Sequence, residues 1–108
     1  MKTSTCDTYK IQLYLAGPIE IAKQLVREYC FSEGLCVTIT PTTYIYTGGE
    51  EIGYIVEFIN YPRFPVDKTK IESQAELLLK RLIEDTFQKS GTLVTPTKSV
   101  YYSNYEGR

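Results

Sequence analysis

The sequence predicts an α+β fold of the ferredoxin-like βαββαβ type, an antiparallel sheet with two helices on one face. Two segments with helical periodicity lie among four strand-like segments, in the order strand, helix, strand, strand, helix, strand. That order is the split βαβ arrangement, and it leaves one sheet face without a helix. Because 108 residues suit one domain and are too few for two, we expect residues 1–108 to form a single domain with flexible tails at 1–7 and 103–108.

The first strand and the first helix follow from a change in hydrophobic period. Apolar and polar residues alternate from Tyr9 to about Leu15, which predicts a half-buried strand. Gly17 and Pro18 close the strand, and proline suits the first helical position because its missing N–H needs no partner there. The helical spacing i, i+3, i+4, i+7, i+8 is then filled by Ala22, Leu25, Val26, Tyr29 and Cys30. We expect this helix to end at Gly34.

The middle of the chain predicts a β-hairpin. Leu35–Tyr46 is rich in β-branched and aromatic residues, and Pro41 within it indicates an edge strand or a bulge. Gly48 and Gly49 mark the turn, and Glu51–Asn60 returns as the third strand. Both alternating sets of the third strand carry apolar groups, so we expect a central strand that is covered on both faces.

A loop with two prolines, Tyr61–Val66, separates the hairpin from the second helix. Asp67 or Thr69 is suited to cap that helix, which carries a continuous apolar stripe. We expect Gly91 to end the helix, since glycine is the commonest residue just beyond a helix. Thr92–Tyr102, interrupted by one proline, then supplies the fourth strand.

The composition disfavours several classes of function. The 12 basic and 13 acidic residues give a formal charge of -1, which argues against the basic footprint of a nucleic-acid-binding protein. The chain has no histidine, so the commonest general base and the commonest metal ligand are both missing. We therefore expect no catalytic residue, no metal and no cofactor. RNA binding stays open as a disfavoured alternative.

Cysteine usage and the N-terminus bear on the compartment. Cys6, Cys30 and Cys36 are odd in number and have no paired spacing, which is not typical of a disulfide framework. Residues 1–7 are polar and lack the apolar core of a signal peptide. No apolar run approaches the length of a membrane span. We expect a cytoplasmic protein that has no membrane partner.

Ten tyrosines are a heavy load for a chain of this length. Tyrosine joins an apolar ring to a polar tip and is favoured at binding surfaces. In the predicted sandwich, the sheet face without helices must meet water, a ligand or a partner. Such a face could stack a nucleotide, or it could become buried in a homodimer, which we expect. The tyrosines that define this first candidate site are Tyr14, Tyr44, Tyr46, Tyr54 and Tyr102.

The loop after the third strand is the second candidate site. It contains Asn60, Tyr61 and Arg63, with Arg63 held between two prolines and two aromatic rings. Prolines reduce the entropy lost when a loop becomes ordered, which favours a preformed binding element. Arg63 could pair a carboxylate or a phosphate with two hydrogen bonds. The alternative is a stiff connector in which Phe64 enters the core and Arg63 stacks on Tyr61.

Two resemblances add to this interpretation. Leu13–Gly17 is similar to the first-strand motif of RNA-recognition motifs, in which an aromatic residue stacks a base. The chain departs from that family after Gly17, and its third strand has acidic residues where the family has a basic one. Tyr44–Glu51 followed by Phe58–Pro65 resembles the core of small accessory proteins of bacteriophages and prophages. This second resemblance implies an inhibitor that binds a host protein or a host signalling nucleotide.

The sequence therefore predicts a non-enzymatic binding protein, a phage-type accessory or inhibitor protein in the host cytoplasm. It would engage a host protein or a small nucleotide through the tyrosine face and the Arg63 loop. Two alternatives stay open, an RNA-recognition-like module and a small enzyme without histidine.

Overall fold

In the computed structural model, which describes residues 1–104, five strands and two helices form two layers. The elements are β1 Lys10–Ala16, α1 Ile19–Glu33, β2 Thr38–Tyr46, β3 Gly49–Ile59, α2 Lys68–Asp85, β4 Ser90–Val94 and β5 Ser99–Ser103. The strands pair in the order β2-β3-β1-β4-β5, and every pairing is antiparallel. The first four strands have the ferredoxin-like order, so the predicted α+β fold is confirmed. Pro41 lies in β2, an edge strand of this sheet.

The core lies between the two helices and one face of the sheet. Alternate residues of β1 point into it, and Ile11, Leu13 and Leu15 are at most 2% exposed. Strand β3 contributes Tyr54, Val56 and Phe58, and each helix contributes one apolar stripe. The buried helix residues are Ala22, Leu25, Val26, Tyr29, Ile71, Ala75, Leu78, Leu79, Leu82 and Ile83.

The opposite face of the sheet, here called the open face, carries no helix. It presents the even-numbered residues of β1 and the odd-numbered residues of β3, because Tyr14 pairs with Ile55 and Gln12 with Glu57. The Gln12 side-chain amide donates a hydrogen bond to the Glu57 carboxylate over 3.0 Å. This bond gives Glu57, the acidic residue in the apolar half of β3, a partner.

The end of α2 and the final strand differ from the sequence prediction. The helix ends at Asp85 rather than at Gly91, which lies inside β4 and is buried. A Cβ at Gly91 would lie 2.8 Å from the Leu79 Cδ1 atom, so glycine lets the helix pack closely on the strand. The expected single last strand is a hairpin of two strands, because the chain turns between Val94 and Ser99.

The two chain ends are tied to the sheet where the structure describes them. The Asp7 carbonyl accepts a hydrogen bond of 3.0 Å from the Asn60 amide, and the Asn104 backbone N–H donates to the Lys89 carbonyl over 2.8 Å. Ser103 closes β5. The rest of the expected C-terminal tail, residues 105–108, lies outside the described residues. Between residues 1 and 104, neither helix is long and apolar enough to cross a membrane.

Candidate functional site

A cavity of about 340 Å³ opens on the open face, where β1 ends and where β3 and β4 begin. Its volume falls in the usual range of small-molecule sites, about 300–1,000 Å³. Three aromatic rings, one carboxylate and one ammonium group converge on it. The lining residues are Tyr14, Leu15, Ala16, Tyr44, Glu51, Phe87, Gln88, Lys89, Ser90, Gly91 and Thr92.

The ring of Tyr44 crosses from the edge strand to the centre of the sheet because Gly53 has no side chain. A Cβ at Gly53 would lie 2.4 Å from a ring carbon of Tyr44 and 2.3 Å from the Leu15 carbonyl oxygen. With that space free, the Tyr44 hydroxyl donates a hydrogen bond of 2.9 Å to the Leu15 carbonyl. The glycine therefore places an aromatic wall of the cavity and fixes its orientation.

Tyr14 and Glu51 lie beside the Tyr44 hydroxyl. Burial raises the pKa of Tyr44, and the neighbouring Tyr14 and Glu51 raise it further. Tyr44 consequently stays protonated at neutral pH and acts as a hydrogen-bond donor. The Tyr14 hydroxyl donates to the Gln12 side-chain oxygen over 3.3 Å. The Glu51 side chain is exposed, so its carboxylate can reach a ligand in the cavity.

The opposite wall comes from the segment that joins α2 to β4. The Gln88 side-chain nitrogen lies 2.7 Å from the position that a Cβ of Gly17 would take, so the glycine lets Gln88 pack against the chain just after β1. Lys89 lies two strands away from Glu51 across β1. At a strand spacing of about 4.8 Å, the backbones that carry the two opposite charges are roughly 10 Å apart.

Two other recesses have a larger volume but fewer functional groups in their lining. An open groove of about 510 Å³ runs between α1 and β2, and a recess of about 450 Å³ lies near Pro41 and Ile52. Neither is lined by a carboxylate or an aromatic ring. The cavity on the open face therefore has the best-equipped set of functional groups among these three.

The five predicted strand tyrosines divide between the two faces. Tyr14 and Tyr44 line the cavity, and Tyr46 lies two residues farther along the same face, at the exposed hairpin end. Tyr54 lies on the helix side and is only 1% exposed, so its ring belongs to the core. Tyr102 also packs against the core, with the Lys80 ammonium 5.9 Å from its ring centre. The structure thus brings together two of the five.

The side chain of Asn60 fixes the predicted loop site by two hydrogen bonds. Its side-chain nitrogen donates a hydrogen bond to the Asp7 carbonyl, and its side-chain oxygen accepts a hydrogen bond of 2.9 Å from the Val66 N–H. The ring of Phe64 contacts that of Tyr61 at 5.4 Å between centres and is 51% exposed, so Phe64 does not enter the core. Phe64 takes the place beside Tyr61 that the sequence alternative gave to Arg63.

The loop and the cavity lie at opposite ends of the sheet. Strand β3 begins next to the cavity and ends at the loop, and its 11 residues extend for roughly 30 Å. Arg63 is exposed at the far end. The structure therefore does not bring the Arg63 loop and the tyrosine cavity into one site.

The sequence interpretation missed four functional side chains of the cavity, namely those of Glu51, Phe87, Gln88 and Lys89. Strand parity held the signal for Glu51, because the odd-numbered residues of β3 share a face with Tyr14. The signal for Phe87 and Gln88 was hidden by the assignment of the helix end to Gly91, which placed both residues inside α2.

Comparison with known proteins gives a fold relationship. No protein-family model and no curated protein sequence matches the chain. A phage SAM lyase in its apo state is similar in structure, with a TM-score of 0.68 and 15% identity over 93% of this chain and 91% of that chain. A phage SAM lyase in complex with S-methyl-5'-thioadenosine gives a TM-score of 0.69 and 14% identity over 98% of both chains.

This likeness shows a shared fold over nearly the whole chain. It also corrects the sequence interpretation, because both of these similar structures are those of an enzyme. The expectation of a non-enzymatic binding protein is therefore wrong. Among the alternatives left open by the sequence, the small enzyme without histidine agrees with this comparison.

Proposed function

We propose that this protein is a lyase that cleaves SAM (S-adenosylmethionine) in the open-face cavity and releases S-methyl-5'-thioadenosine. The observation that carries the proposal is the end-to-end likeness to a phage SAM lyase that binds this nucleoside, over 98% of both chains. The proposal includes a phage origin and action in the host cytoplasm, as the phage neighbours suggest.

The identity of the released nucleoside defines which bond must break. S-methyl-5'-thioadenosine keeps the sulfur, its methyl group and the adenosyl group, so the bond from sulfur to Cγ of the methionine portion is cleaved. The bonding electron pair stays on sulfur and neutralises the sulfonium. Cγ of the four-carbon amino acid fragment has then lost one bond. It must form a new bond within the fragment itself, because a lyase does not add water.

Two balanced routes give Cγ its new bond. In one, the substrate's own carboxylate oxygen attacks Cγ and closes a five-membered lactone, and no proton moves. In the other, a base removes a proton from Cβ and leaves a double bond between Cβ and Cγ. We propose the lactone route, because the chain has no histidine, Tyr44 is a protonated donor with a raised pKa, and the Glu51 carboxylate is engaged by the α-ammonium group of the substrate in this proposal.

The cavity supplies groups that match the charges of this substrate. The Glu51 carboxylate is placed to bind the α-ammonium group of the methionine portion. The rings of Tyr14 and Tyr44 present π faces, which attract cations such as a sulfonium by about 0.5–2 kcal/mol. These residues therefore bind and orient the substrate, and the bond-forming oxygen comes from the substrate itself.

The test is incubation of the purified protein with SAM, followed by chromatography and NMR of the products. We expect S-methyl-5'-thioadenosine together with a lactone that has no vinyl protons. The Glu51→Gln variant removes the charge that holds the ammonium and should lower kcat/KM at least tenfold. Glu50→Gln is the matched control, because Glu50 is the adjacent carboxylate on the opposite parity of β3 and does not line the cavity.

Three results would contradict the proposal in different ways. No conversion of SAM would refute the activity, and vinyl protons in the four-carbon product would refute the lactone route. An equal loss of activity in Glu51→Gln and Glu50→Gln would refute the assignment of the cavity, because charge anywhere on the hairpin would then matter equally.

A further inference from the structure

Phe87 holds a backbone conformation that bulky residues avoid. Its φ is 58°, in the left-handed region, and the other positive φ values among residues 1–104 belong to Gly17, Gly34 and Gly48. An L-residue in this region brings its Cβ close to a carbonyl oxygen, so glycine is the residue that takes the position without cost. A phenylalanine here is a departure that calls for a physical reason.

The helix end itself does not supply that reason. Phe87 turns the chain out of α2, with its N–H donating to the Glu84 carbonyl over 3.3 Å, and the Gln88 N–H donates to the Ile83 carbonyl over 2.9 Å. Gly34 does the same for α1, with a φ of 68°. Because a glycine closes one helix by the same turn, the side chain of Phe87 is not needed to close the other.

Burial does not supply the reason either. Phe87 is 91% exposed, so its ring contributes almost nothing to the core. It stands at the rim of the open-face cavity, next to Gln88 and across from the tyrosine wall. An exposed aromatic ring on a strained backbone at the mouth of a cavity points to a binding element, since strained residues cluster at ligand sites.

We propose that Phe87 is the platform on which the adenine ring of the substrate stacks. This inference rests on the proposed function, and it adds the residue that recognises the base. Adenine is the flat, apolar part of SAM, and stacking on an aromatic side chain contributes about 1–3 kcal/mol per base in nucleic-acid-binding proteins, equivalent to roughly 5- to 150-fold in affinity. The rim position leaves Glu51 and the tyrosine rings free for the charged amino acid portion.

The experiment combines Phe87→Gly with Phe87→Tyr and measures stability and binding separately. Phe87→Gly relieves the backbone strain, so its thermal midpoint should rise by a few degrees, while its affinity for S-methyl-5'-thioadenosine should fall at least fivefold. Phe87→Tyr keeps a ring and should retain the affinity of the native protein. 5-Methylthioribose, which lacks the base, should bind the native protein and Phe87→Gly equally well.

The outcomes separate this inference from the proposed function. Unchanged affinity of Phe87→Gly for the nucleoside, in a native protein that binds it, would overturn the stacking role alone. An equal loss of affinity for 5-methylthioribose would also overturn it, because the base would then not be what Phe87 contacts. Failure of the native protein to bind the nucleoside at all would overturn both the stacking role and the proposed function.

Discussion

The two faces of the sheet are built from alternate residues of the same strands, and they do different work. In β1, Leu13 is completely buried under the helices, whereas the next residue, Tyr14, is half-buried and lines the cavity. In β3, Tyr54 belongs to the core and Gly53 makes room for the Tyr44 ring. Core packing and most of the cavity lining are thus sorted by strand parity, so substitutions at neighbouring positions should have different consequences for stability and for the proposed activity.

The largest expected effect on stability comes from the helix-covered face. Leu13→Ala removes a fully buried side chain from the centre of the core and should lower the free energy of unfolding by about 3 kcal/mol. Tyr14→Ala, one residue along, should change that free energy much less and should instead abolish most of the SAM cleavage. Urea denaturation and product formation, measured on both variants, check the comparison. A Tyr14→Ala variant that unfolds at as low a urea concentration as Leu13→Ala would contradict the assignment of Tyr14 to the open face rather than the core.

A second test adds one methyl group to the open face. Gly53→Ala places a Cβ where the Tyr44 ring and the Leu15 carbonyl now lie, so the ring must move and the strand must shift. We expect a loss of about 2 kcal/mol in stability, together with loss of activity.

The matched control is Gly49→Ala in the same strand. A Cβ at Gly49 would lie 3.2 Å from the exposed ring of Tyr46, which can move aside. This variant should keep the activity and most of the stability. Full activity in Gly53→Ala would show that the Tyr44 ring does not form a wall of the site.

Alkaline pH tests the burial of Tyr54 on the helix side of the sheet. Burial raises the pKa of Tyr54 from 10.0 to about 12, and the Thr86 hydroxyl lowers it only in part. The folded state therefore keeps a proton that the unfolded state loses above pH 10. Stability is fully present below pH 10 and falls as the pH rises toward 12, by up to about 1.4 kcal/mol per pH unit.

The measurement is the urea midpoint at pH 9, 10 and 11 for the native protein and two variants. Tyr54→Phe should have a shallower alkaline decline, because it removes the buried ionising group. Tyr46→Phe alters an exposed ring and serves as the control. Identical declines in the native protein and in Tyr54→Phe would contradict the assignment of Tyr54 to the core.

The order of strands and helices could be predicted from the sequence because hydrophobic period and turn residues are local signals. The end of α2 could not, since Gly91 serves close packing on Leu79 and not helix termination, and only the folded structure shows that contact. Tyr54 and Tyr102 were grouped with the open face because a tyrosine count does not report the face to which each ring points. The position of Glu51 on the open face could be predicted from strand parity alone. The homodimer stays a prediction, which sedimentation analysis would test.

In the proposed function, the open face, and not the helix side or the Arg63 loop, binds the nucleoside portion of SAM. The most direct measurement is an NMR titration of the protein with S-methyl-5'-thioadenosine, following the backbone amides. We expect the changes to concentrate in Tyr14–Ala16 and Phe87–Thr92, around the cavity. Changes concentrated along the groove between α1 and β2, or around Arg63, would contradict the claim, and so would a spectrum that the nucleoside leaves unchanged.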